Sequence, residues 1–128
     1  MIISTNLNTE DFAHRYSPQI ASRLRGSFPR ALGKYTRERQ VVSLPEMIRK
    51  MTAMPCAVYG FKTKGLVWEG FDADLCIFDP NTIIDRAEYA NPHLRAEGLD
   101  YVIVGGRIAA VNAVATGELG GTMLYPNQ

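Results

Sequence analysis

Tyr101-Val102-Ile103-Val104-Gly105-Gly106-Arg107 constrains this chain more than any other stretch. Four β-favouring residues run into a Gly-Gly pair, the chemistry of a two-residue hairpin turn whose positive φ angles suit glycine. Arg107 to Val111 reads as the return strand. Upstream, Leu75-Cys76-Ile77-Phe78 is an unbroken apolar run stopped by Asp79-Pro80-Asn81, and it reads as a strand buried on both faces. Val114 to Gly117 and Gly120 to Leu124 add turns and one more short strand. The second half is therefore expected to be β.

The first half carries a helical period. Phe28 to Arg39 is expected to form a helix, with Pro29 in its first turn. Leu32 and Tyr35 would share its buried face, with Arg30, Lys34, Arg37, Glu38 and Arg39 turned to solvent. Ser43 and Glu46 have capping-box spacing. Leu44, Met47, Ile48 and Met51 follow as one apolar stripe. Met54-Pro55 interrupts that helix, and Gly60 suits the left-handed stop of a short third one. Met1 to Ser4 reads as a strand and residues 5–26 as a long loop.

Composition narrows the partners. The 128 residues suit one small domain. A net charge of +1 gives no bulk attraction to nucleic acid or an anionic membrane. No apolar run approaches the roughly 18 residues needed to span a bilayer, and MIISTNLNTEDF lacks the pattern of a secretory signal. Cys56 and Cys76 sit in apolar surroundings without CxxC spacing, so free, buried thiols in a reducing cytoplasm are expected.

Asp72 and Asp74 share a face of an extended chain and offer hard oxygen ligands. No third ligand lies nearby in sequence, however, and Gly70 and Asp72 are turn formers. We read both acids as punctuation, with Asp74 capping the strand entry through backbone N–H groups. His14, in the loop, and His93, in a turn, are isolated. Neither is expected to ligate a metal, and the chain alone is expected to hold no cofactor.

GLVWEGFDADLCIFDP resembles a strand pattern near the C-terminus of the amidohydrolase superfamily. The likeness narrows at Gly26-Ser27-Phe28-Pro29-Arg30, at Ile48-Arg49-Lys50-Met51-Thr52 with Met54-Pro55, and at Tyr101 to Arg107. There the chain resembles the C-terminal portion of N-acyl-D-amino-acid deacylases (D-aminoacylases). Dihydroorotases and hydantoinases share the strand pattern but lack the first two segments. The resemblance implies a mixed α+β chain, a helical remnant of a TIM-barrel end followed by an antiparallel β-sandwich-like part. Residues 1–62 would supply the last barrel strand, its loop and helices, and residues 63–128 the C-terminal part of the small β-sandwich.

The family's reaction is metal-assisted amide hydrolysis. A bound metal, usually zinc, activates water and polarises the scissile carbonyl, and an Asp after the last barrel strand handles the proton. Thr5 occupies that Asp position here, and a Thr hydroxyl cannot act as a general base near neutrality. Glu10 and Asp11 are the nearest carboxylates that could replace it. The resemblance implies a substrate-binding role for Arg23, through a bidentate pair with the substrate carboxylate. The chain alone is expected to be inactive, with N-acyl-D-amino acids as substrates of the full enzyme only. The alternatives are a stand-alone structural or oligomerisation module, or the C-terminal piece of another amidohydrolase such as a dihydroorotase or hydantoinase. The stripe Leu44, Met47, Ile48 and Met51 shows no partner in the sequence, and burying each such side chain is worth roughly 1.5–3 kcal/mol. Self-association or an upstream barrel fragment is therefore expected to cover it.

Overall fold

The computed structural model describes residues 2–4, 28–122 and 124–125. Five strands form one antiparallel sheet: β1 (Ile2–Ser4), β2 (Leu75–Phe78), β3 (Leu99–Val104), β4 (Arg107–Val111) and β5 (Val114–Ala115). Sheet order follows chain order, β1-β2-β3-β4-β5. Among the described residues, three helices lie between β1 and β2: α1 (Ala31–Glu38), α2 (Leu44–Met51) and α3 (Ala53–Tyr59). The chain is thus mixed helix and antiparallel sheet.

The hairpin forms as expected. Gly105 and Gly106 have φ of 55° and 77°, the pair of left-handed residues that a twist-compatible two-residue turn requires. The next turn, Asn112-Ala113, repeats this geometry with φ of 49° and 59° and no glycine. One extra residue bulges from β3 opposite the Ile77/Phe78 step, and another from β4 opposite Val102/Ile103.

Register assigns the two faces. Cys76, Phe78 and Leu99 turn toward the helices, where Leu32, Phe78 and Ile83 form the buried core among the described residues. The other face carries two ranks of apolar residues. One runs Leu75–Ile103–Ile108, the other Ile77–Tyr101–Val111–Val114. Of β2 only Phe78 is buried while Leu75, Cys76 and Ile77 are half-buried, so the expectation of burial on both faces is corrected.

The helices depart from the expected pattern in three ways. Residues 28–30 are α-helical, but α1 itself is a π-helix, closed by the i→i+5 bond from Arg39 N–H to the Lys34 carbonyl at 3.0 Å. The wider turn throws Tyr35 off the Leu32 face. Leu32, Gly33 and Thr36 are buried instead, while Tyr35 is exposed and stacks under Arg39, 5.7 Å away. Gly33 is needed there because a Cβ would lie 2.5 Å from the Ile83 carbonyl oxygen. Second, Ser43 makes no side-chain cap to α2. Glu46 turns outward to Arg49 instead, accepting from Nε at 2.7 Å and from Nη2 at 2.8 Å in a bidentate pair. Third, the break falls at Thr52 (φ −126°, ψ −80°), and Pro55 sits inside the first turn of α3, where its missing N–H costs nothing. Gly60 ends α3 at φ 74°, as expected.

The stripe of α2 does find a partner. Leu44, Met47, Ile48 and Met51 pack against the Leu32–Phe78–Ile83 core, which corrects the expectation that nothing within the chain meets them. Residues 1–62 and 63–128 are joined at this core and again at the sheet, where β1 pairs with β2 through Ile3↔Cys76. The segment expected as a barrel strand is here an edge strand. Its backbone groups need partners, and the free edge of β2 supplies them.

Candidate functional site

The acids of GFDADLCIFDP converge on one lysine. Lys64 Nζ lies 2.7 Å from Asp72 Oδ2 and 2.7 Å from Asp74 Oδ2. Asp74 is buried, and its other oxygen accepts the Gly105 N–H at 2.8 Å. Gly106 N–H reaches the Ala73 carbonyl at 3.0 Å. Thr63 Oγ1 donates to Asp72 at 3.0 Å. One carboxylate thus caps the hairpin tip and neutralises a half-buried ammonium, as a buried charge requires. The reading of Asp72 and Asp74 as turn and strand-entry residues holds, and Lys64 is the partner that the sequence did not reveal.

The electrostatics follow. Burial works to lower the Lys64 pKa, but hydrogen bonds to Asp72 and Asp74 outweigh it and raise the pKa above the ordinary value. The Lys64 hydrogen bond holds the Asp72 carboxyl below its ordinary range. A cleft of about 400 Å³ opens beside this node, walled by Asp72, Asp74, Gly105, Gly120 and Thr122. The node offers no free base or nucleophile, because its ammonium and both carboxylates are mutually engaged. It builds a fold rather than a reaction.

A second node ties α1 to the segment after β2. Arg30 donates from Nε to Asp85 Oδ2 at 2.9 Å and from Nη2 to the Ala87 carbonyl at 3.0 Å. The Asp85 side chain is 4% exposed. Arg37 donates to the Ile83 carbonyl at 2.7 Å. Arg30 and Arg37 were expected on a solvated face. They instead bind a buried acid and backbone carbonyls, because the 80–87 loop folds back over α1.

Thr5, Glu10, Asp11, His14 and Arg23 lie outside the described residues. His93 is exposed in its turn. Cys56 and Cys76 are free and half-buried rather than buried, and burial pushes the Cys76 thiol up to about 12. No three His, Cys, Asp or Glu side chains gather into a metal-sized cluster among the described residues. These described residues therefore do not fit the zinc of the full-length family, and no chemical step is assigned through a metal to them. No described helix is long and apolar enough to cross a membrane.

Comparison with known proteins follows the same lines. Residues 7–110 match the model described as "Amidohydrolase family". A D-aminoacylase from Alcaligenes xylosoxydans xylosoxydans is 34% identical over 94% of this chain and 24% of its own length. A crystal structure of D-aminoacylase superimposes with a TM-score of 0.78 at 38% identity, over 81% of this chain and 22% of that one. An N-acyl-D-glutamate deacylase from Bordetella bronchiseptica, solved with zinc and a phosphonate mimic of the tetrahedral intermediate, gives 0.67 at 37%, over 73% of this chain and 21% of that one. The chain spans about a quarter or less of the length of these relatives.

Proposed function

The chain belongs to the amidohydrolase family, and we propose that it is the C-terminal portion of a metal-dependent N-acyl-D-amino-acid deacylase, inactive alone. The observation that carries this reading is the 0.78 superposition on D-aminoacylase at 38% identity over only 22% of that chain. In this proposal the zinc and its ligands belong to the remainder of the enzyme. When bound, the metal would polarise the scissile amide carbonyl and activate water.

Residues 1–62 would then supply the last barrel strand with its loop and helices, and residues 63–128 the C-terminal part of the small β-sandwich. The β1–β2 pairing would have to open when barrel strands claim β1. The Lys64–Asp74 and Arg30–Asp85 nodes would hold the two parts in register. Arg23 would meet the substrate carboxylate, and Thr5 would stand where the proton-handling Asp belongs. Two free thiols fit a cytoplasmic setting.

The test is a chimera in which this chain replaces its matching stretch in the Alcaligenes D-aminoacylase. With zinc and a panel of N-acetyl-D-amino acids, the chain alone should release no amino acid. The chimera should gain activity on Thr5→Asp by at least a hundredfold, the scale of a positioned general base. A chimera that stays inert with Thr5→Asp, although it folds and binds zinc, would refute the reading.

A further inference from the structure

We infer that the tip of the loop between β2 and β3 is a substrate-selecting rim, where Tyr89 and Leu94 meet an extended apolar acyl chain. The inference rests on the proposed reading and adds the part of the substrate that this chain would select. Residues 79–98 join β2 to β3. A connection longer than about 12–15 residues in a compact fold is usually functional. This one is closed at its base, where Asp79 N–H donates to the Gly98 carbonyl at 2.9 Å and Ile84 bridges Glu97. A loop whose ends meet while its tip projects is a frequent carrier of binding residues.

The course of the loop along α1 fixes where its tip stands. Arg37 donates to the Pro80 and Ile83 carbonyls at 3.3 and 2.7 Å. One turn earlier in the helix, Gly33 lies against the Ile83 carbonyl and Ile84. One further turn back, Arg30 reaches Asp85 and the Ala87 carbonyl. The loop thus climbs the helix from its C-terminal to its N-terminal end. It releases its tip beside Arg30, near the point where residues 5–27 join the helical segment. In the proposed enzyme residues 5–27 follow the last barrel strand, and the loops after barrel strands form the active-site face. The tip would therefore border the mouth of the site.

The chemistry of the tip suits an apolar group. Glu88 and Asn91 exchange backbone hydrogen bonds of 3.2 Å, closing a turn with Tyr89 and Ala90 at its apex. Tyr89 is 99% exposed and Leu94 49%. A tyrosine held on a closed turn offers a large contact area with few torsions to freeze. The approach to the turn is fixed as well, because Ala87 N–H donates to the buried Asp85 carboxylate at 2.9 Å. An acetyl group ends one carbon beyond the scissile carbonyl and stays at the reacting centre. An octanoyl chain continues outward, and only such a chain can meet a rim residue.

The test uses the zinc-loaded chimera carrying Thr5→Asp, with the N-octanoyl and N-acetyl derivatives of the D-amino acid it cleaves best. Tyr89→Ala should lower the octanoyl-to-acetyl ratio of kcat/KM by about fivefold, somewhat less than one methylene decides in an enclosed pocket. The loss should lie in KM, as for a contact made equally in the ground and transition states. Tyr89→Phe should keep the ratio, since the ring remains, and Leu94→Ser should lower it. Val58→Ala, on α3, is the control and should leave the ratio unchanged. Cleavage of both substrates at a ratio indifferent to Tyr89→Ala and Leu94→Ser would overturn the inference and leave the functional reading standing. So would an equal loss on the acetyl substrate. A folded, zinc-bound chimera that cleaves neither substrate would refute the functional reading and the inference with it.

Discussion

Arg30 Nη2 stands 2.7 Å from Asp85 Oδ2, joining the first turn of the helical segment to a buried carboxylate 55 residues away. The acid is almost fully enclosed while half of the Arg30 side chain remains in solvent. The cost of breaking the pair therefore falls mainly on Asp85. Arg30→Met should lower stability by about 1–3 kcal/mol, the cost of a stranded buried acceptor. Arg30→Lys should recover only part of it, since Lys cannot reach the carboxylate and the Ala87 carbonyl as a planar fork. Urea unfolding of the three proteins checks this.

The Lys64 node separates its two acids. Asp72 is 46% exposed on its side chain and Asp74 only 4%. Asp72→Asn should cost no more than about 1 kcal/mol. Lys64→Met should cost about 3 kcal/mol, because the buried Asp74 side chain loses its ion-pair partner. The signs fix the pH window. The depressed Asp72 contributes stability above its ordinary value of 3.8, which is lost as pH falls through the lower folded value. The raised Lys64 contributes below its ordinary 10.5, which is lost as pH rises through the higher folded value. Stability should therefore decline on both the acid and the strongly alkaline side, and Lys64→Met should flatten both limbs in a thermal melt series.

Gly33→Ala places a methyl group against the Ile83 carbonyl and the Ile84 backbone, neither of which is a flexible side-chain end. A loss of about 1–3 kcal/mol is expected, despite the better helix propensity of alanine. Gly70→Ala, with open space around the Cβ but φ of 84°, separates backbone strain from clash in the same denaturation assay.

Cys76 should react slowly with a thiol-alkylating reagent at neutral pH, since burial pushes its pKa to about 12 and the thiolate is the nucleophile. Cys56, also raised by burial, should be slow as well. Mass spectrometry should show both modified rapidly only in denaturant. Rapid native labelling of Cys76 would mean that the β2 region opens locally.

Legibility in the sequence followed the range of each interaction. Leu75–Phe78, Arg107–Val111, the Gly105-Gly106 turn and the Gly60 stop are readable because a short apolar run, a hairpin Gly-Gly pair and a left-handed glycine each act over a few residues. The π-turn of α1 was not, since it places Gly33 rather than Tyr35 beside Ile83, a contact made across 50 residues. Ser43 showed the spacing of a cap, but Glu46 found a charged neighbour in Arg49. Arg30 and Arg37 look like ordinary surface cations in the sequence and nothing there marks Lys64, because their partners come from folded-back loops. At the candidate site, the position of Asp74 before an apolar run marks it as a cap for strand entry, but its partners, the Gly105 N–H and Lys64, lie 31 and 10 residues away and leave no local pattern. The positions suggested by family likeness, Thr5 and Arg23, lie outside the described residues.

The sheet's linear order also sets an order of assembly. β3 and β4 meet across a two-residue turn, whereas β1 reaches β2 across about 70 residues of chain. Closing the longer loop costs roughly 3 kcal/mol more in chain entropy, and among the described residues three cross-strand pairs oppose it. The β2–β5 meander should therefore form first and β1 join last, and the same strand should be the first to leave. Amide exchange at the β2 N–H groups that point to β1 would then time the departure of an edge, while exchange at the β3 N–H groups would report loss of the whole sheet.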